Sequence, residues 1–114
     1  MAIRRSKYGN QKVTYDGIKF DSKRECARYQ QLKLLERVGK ISDLRLQVPF
    51  VLAARVKYSN ALKATPAMKY VADFVYLDEN GQPVVEDSKG FKTPEYKIKR
   101  HLMLDRHGIE VREV

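Results

Sequence analysis

Residues 70–90, YVADFVYLDENGQPVVEDSKG, decide the fold of this chain. Apolar and β-branched residues run to Leu77, Asp78-Glu79-Asn80-Gly81 has turn composition, and a second apolar run starts at Pro83. The pattern predicts an antiparallel hairpin with strands at 69–77 and 83–89. Opposed residues in a hairpin share a face, so the turn decides which acid of Glu86-Asp87 meets Asp73. A three-residue loop Glu79-Asn80-Gly81, with Gly81 left-handed in a G1 bulge, pairs Asp78 with Gln82 and Asp73 with Asp87. A two-residue type I′ turn at Asn80-Gly81 instead places Asp73 opposite Ser88. The first register leaves fewer lone charges against the core, because two acids and Lys89, which projects from the same face as Val71, Val75 and Val85, can share metal and proton.

Two carboxylates that close repel when both ionise, and a divalent cation removes the conflict. Oxygen-only ligation by Asp73 and Asp87 points to Mg²⁺, with Mn²⁺ as a substitute. An ordinary hairpin bearing an Asp–Lys ion pair has the same spacing.

Working outward, Lys12 to Phe20 alternates around Asp16-Gly17 and reads as a small hairpin. A helix follows from about Ser22 to Val38, with Cys26, Tyr29, Leu32, Leu35 and Val38 as its apolar stripe and Gly39 as its stop. Glu25 lies at the edge of that stripe. It either faces the sheet and the site or closes a capping box with Ser22. Residues 46–56, LQVPFVLAARV, read as the first core strand, with Gln47 and Pro49 near its start. Thr93, Pro94 and Glu95 open a second helix that ends near His107, before Gly108. IEVREV at 109–114 reads as a last short strand. The order is hairpin, helix, three strands, helix, strand, which gives an α/β (α+β) fold with a mixed sheet flanked by helices.

At 114 residues this is one domain, 1–114, with a basic arm at 1–11. Cys26 is the single cysteine and allows no internal disulfide, which suits a reducing cytoplasm. The start carries positive charge with no apolar segment behind it, and no apolar run approaches the ~18 residues of a membrane helix. Lysine and arginine number 23 against 14 acids, a net charge of +9. That excess favours nucleic acid as partner; the strongly amphipathic basic helix a membrane surface calls for is missing. Two groups offer to track a phosphate backbone: Arg4, Arg5, Lys7 and Lys12 in and after the arm, and Lys92, Lys97, Lys99 and Arg100 beyond Lys89.

With site and order in hand, the chain resembles the PD-(D/E)xK nuclease superfamily, whose common core is helix, three strands, helix, strand. Asp73, Asp87 and Lys89 match its motif, and Glu25 stands where the first helix of that superfamily often supplies an acid. More narrowly, KYGNQKV, FDSKRECARY, YVADFVYL and VVEDSKGFKTPEYKIK look like a small family of phage and prophage proteins assigned to it. Ala72 departs from the proline of the superfamily's label, and Asp87 from the more frequent glutamate. The resemblance implies that Asp73 and Asp87 bind Mg²⁺, with the Ser88 carbonyl as a further ligand. It implies that Lys89 orients or helps deprotonate the attacking water, that Glu25 holds a second metal or water, and that Gln47 contacts the site. It further implies hydrolysis of DNA phosphodiesters, branched or Holliday-junction DNA as substrate, a homodimer, and a setting in phage recombination or replication inside a bacterial cytoplasm. No small-molecule substrate is expected. A non-catalytic DNA-binding protein of the same fold and a phage scaffold or adaptor are the competing readings.

Overall fold

The computed structural model describes residues 11–89 and 92–114. The chain runs β1 (Val13–Tyr15), β2 (Ile18–Phe20), α1 (Lys23–Arg37), β3 (Ser42–Ala53), β4 (Met68–Leu77), β5 (Pro83–Asp87), α2 (Pro94–His107) and β6 (Arg112–Glu113). Strands β1 and β2 form a separate hairpin; the others form one sheet in the order β3-β4-β5-β6. The first three of these are antiparallel, and β6 lies parallel to β5, reached through α2. This is the mixed sheet with two helices and a small leading hairpin expected from the sequence.

Local chemistry accounts for most element ends. Asp16 and Gly17 both take positive φ, 57° and 74°, as a two-residue type I′ turn requires, and Tyr15 pairs with Ile18 across it. Ser22 caps α1 by accepting from Glu25 N at 3.1 Å, and Thr93 caps α2 by accepting from Tyr96 N at 3.1 Å. Pro94 occupies the first turn of α2, where its missing N–H loses nothing, and Gly108 closes the helix.

Three strands have boundaries other than those expected. The first core strand starts at Ser42, four residues early, and ends at Ala53, so Gln47 and Pro49 lie mid-strand. Proline survives there because β3 is an edge strand, where a missing donor costs no ladder partner on the open side. The β5 strand stops at Asp87, before Lys89, and the last strand shrinks to Arg112–Glu113. Val38, expected in the apolar stripe, is exposed at the end of α1, and Val71 is likewise exposed.

Each helix covers its own core. Cys26, Tyr29 and Leu32 of α1 pack with Phe20, Phe74, Tyr76 and Val84. Tyr96 and Met103 of α2 pack with Leu52, Tyr70, Ala72, Val85 and Val111. Burying a side chain the size of Leu32 or Phe74 contributes about 2–3 kcal/mol. Leu44 and Leu46 pack toward α1, yet Phe50, of the same parity on β3, packs toward α2; on β4 the same change falls between Phe74 and Ala72. Both changes straddle Gln47 and Asp73. Gln47 has φ of 52°, a left-handed conformation rare for a non-glycine residue, while the β3–β4 register continues on both sides of it. The two cores meet here in a seam.

Candidate functional site at the seam

The β4–β5 hairpin takes the first of the two registers. Leu77, Tyr76, Val75 and Phe74 pair with Pro83, Val84, Val85 and Glu86, so the next step sets Asp73 opposite Asp87. Gly81 has φ of 75° and donates to Asp78 O at 3.0 Å, while Asp78 N donates to Gln82 O at 2.9 Å. The β4–β5 ladder ends at Phe74 and Glu86, one step before the Asp73–Asp87 pair, and Ser88 N donates instead to Asp73 Oδ2 at 2.8 Å. An aspartate thus replaces a strand partner at the seam.

Gln47 ties the first helix to this point. Its Nε2 donates to Glu25 Oε1 at 3.1 Å and to Asp73 Oδ1 at 3.3 Å. The helix N-terminus uses only half a capping box, since Ser22 caps Glu25 N while the Glu25 carboxylate turns to Gln47. Asp87 is 1% exposed; its Oδ2 accepts from the Tyr70 hydroxyl, and Lys89 Nζ stands 3.3 Å from Oδ1. That ammonium also lies 5.1 Å from the centre of the Tyr96 ring, a cation–π distance. The first turns of both helices therefore reach the seam, one with Glu25 and the other with Tyr96.

The electrostatics follow from crowding. Burial, then the charge of Asp87, pushes Asp73 up to about 6 against the opposing pull of Ser88 N, Lys89 and Gln47. Burial, then Asp73, pushes Glu25 up to about 7, with Asp21 and Asp87 adding to the rise. Such shifts mark carboxylates short of positive charge. Among the described residues no three His, Cys, Asp or Glu side chains already form a cation cage. The donor set nevertheless suits a hard cation: it is all oxygen, it is under mutual repulsion, and Asp87 Oδ1 is a buried oxygen with no hydrogen bond. The Ser88 hydroxyl is also buried without a partner.

Glu86, the neighbouring acid, does something else. Fully buried on the α1 side, it accepts from Arg28 Nε at 2.8 Å and Nη2 at 2.7 Å, and from the Tyr76 hydroxyl. This satisfied ion pair joins α1 to β5, and the strand's alternation separates it from the seam.

Beyond the seam, Lys92, Lys97, Arg100, His101 and Leu104 line a groove of about 620 Å³ between α2 and the C-terminal strand. Lys92 and Arg100 each lie 3.4 Å from Glu113, which offsets part of their charge. Lys99 turns aside to Glu95 at 3.1 Å. Arg4, Arg5, Lys7 and Tyr8 lie outside the described residues. Sequence reasoning missed Tyr70 and the Lys89–Tyr96 contact, because aromatic residues with core spacing carry no signal of the polar atom they touch. It also missed Arg28, whose partner lies on a strand 58 residues away.

Fold and site together define a small α+β protein whose unusual chemistry is gathered at one carboxylate-rich seam. Residues 5–113 match the family described as protein of unknown function (DUF1064), and the chain belongs to that family. No curated protein and no solved structure matches it. Among the described residues no helix is long and apolar enough to cross a membrane.

Proposed function

We propose that this protein is a Mg²⁺-dependent endodeoxyribonuclease of the PD-(D/E)xK type. The observation that carries the reading is the convergence of Asp73, Asp87, Lys89 and Glu25 at one seam, where burial and neighbouring carboxylates push Asp73 and Glu25 upward and Lys89 pairs with Asp87. Asp73 and Asp87, with the Ser88 carbonyl and Glu25, would hold Mg²⁺, or Mn²⁺ in its place, which supplies a lowered pKa for bound water and charge neutralisation at the phosphate. Lys89, steadied between Asp87 and the Tyr96 ring, would offset negative charge developing on the phosphoryl oxygens and orient or help deprotonate the attacking water. Glu25 would hold a second metal or a water in the seam. Gln47 positions Glu25 against Asp73.

The net charge of +9 and the groove on α2 supply the attraction that brings a phosphate backbone to these acids. Branched DNA, such as a four-way junction, is the proposed substrate, cut by a homodimer so that two strands are treated alike, in phage recombination or replication within the host cytoplasm.

The test incubates the full chain with duplex, single-stranded, flap and four-way-junction DNA in Mg²⁺ or EDTA. Cleavage should require the cation and favour the branched substrate. Asp87→Asn and Lys89→Ala should each lower the cleavage rate by about 100-fold or more with DNA affinity nearly unchanged. Binding without cleavage in either Mg²⁺ or Mn²⁺ would turn the assignment to a non-catalytic DNA-binding protein.

A further inference from the structure

We infer that Tyr70 sets the cation selectivity of this site by pinning one oxygen of Asp87; the inference rests on the cation site proposed above. Tyr70 is 3% exposed and its hydroxyl donates to Asp87 Oδ2, while Asp87 is itself 1% exposed. The other oxygen, Oδ1, is buried and free of hydrogen bonds, with Lys89 Nζ at 3.3 Å. The carboxylate thus has a fixed orientation and one oxygen to offer. A two-oxygen clasp of an ion needs the carboxylate to rotate and release Oδ2 from Tyr70, at the cost of a buried unpaired hydroxyl.

The other acids are also held in orientation, Asp73 through both of its oxygens. Asp73 Oδ1 accepts from Gln47 and Oδ2 from Ser88 N, and Glu25 Oε1 accepts from Gln47. A site built from single carboxylate oxygens held in place suits Mg²⁺, which takes six ligands in near-ideal octahedral geometry. Ca²⁺ takes more ligands, at longer distances, and commonly uses a carboxylate through both oxygens. Tyr70 is accordingly a positioning residue whose removal favours the larger ion.

The fold supplies a control. Tyr76 is also buried, and its hydroxyl donates to buried Glu86 on the opposite side of β5, away from the seam. Tyr70→Phe and Tyr76→Phe each delete one buried hydroxyl bonded to a carboxylate, so general loosening of the fold affects both.

Dissociation constants of Mg²⁺ and Ca²⁺ are measured by calorimetric or NMR titration on the wild type, Tyr70→Phe, Tyr76→Phe and Asp87→Asn, without DNA. The wild type should prefer Mg²⁺. Tyr70→Phe should shift the ratio of the two constants roughly five- to tenfold toward Ca²⁺, and Tyr76→Phe should leave it at the wild-type value. Equal ratios in the two phenylalanine variants overturn the role of Tyr70 while the cation site stands. Failure of the wild type to bind either ion, or binding that Asp87→Asn leaves unaltered, overturns the site and this role with it.

Discussion

Glu86 and Asp87 are adjacent, acidic and almost wholly buried, yet they belong to different parts of the molecule. Glu86 finds a guanidinium and a phenol on the α1 side; Asp87 finds a phenol and a shared ammonium at the seam. Their substitutions should separate accordingly. Arg28→Ala leaves a buried carboxylate without its charge partner and should lower stability by about 3 kcal/mol in urea unfolding, with cleavage by the folded fraction little changed. Asp87→Asn should do the reverse, and a Glu86→Gln variant that folds normally but fails to cut would refute the assignment of the site. Asp73 and Glu25, raised to about 6 and about 7, hold protons in the folded chain that the unfolded chain releases near pH 4. The folded state therefore binds more protons between about pH 4 and pH 7, and stability falls as pH rises through that window. Thermal melts in EDTA should show this decline. Asp73→Asn and Glu25→Gln should each flatten it, and profiles parallel to the wild type would show that these groups are not the cause.

At the scale of elements, the site depends on turn chemistry as much as on its acids. The Asp73–Asp87 register exists because Gly81 adopts a left-handed conformation in a three-residue loop. Gly81→Ala should cost about 1–2 kcal/mol, read as a shift in the urea midpoint, without moving the register. Helix and hairpin ends were legible from the sequence because caps and turn residues act over three or four neighbours: Ser22, Thr93 and Asp16-Gly17 all act as their sequence context indicated. The extent of β3 was not legible. Its pairing partners on β4 are distant in sequence, and Pro49 signals a strand end unless the strand is known to be an edge. The conformation of Gln47 was not legible either, because no local rule predicts a left-handed glutamine within a strand.

Over the whole molecule, the two helices cover different cores and bring their first turns to the seam, and the α2 groove adjoins it through Tyr96. Glu113 offsets Lys92 and Arg100, whereas Lys97 has no ion pair among the described residues. Lys97→Ala should therefore weaken DNA binding uniformly across sequences and lower the slope of log affinity against log salt by about one. An unchanged slope would remove the groove from the path of the backbone, and the same titration on Arg4→Ala/Arg5→Ala tests the arm. By itself the sequence determined the order of elements, the hairpin at 70–90 and the spacing of Asp73, Asp87 and Lys89, because propensities, caps and strand alternation are short-range. Only the tertiary structure decided that Glu25 turns from its own cap to Gln47, that Glu86 is tied to Arg28, and that Tyr70 holds Asp87. Each of those contacts joins residues at least 17 positions apart, and the packing of the helices on the sheet selects it.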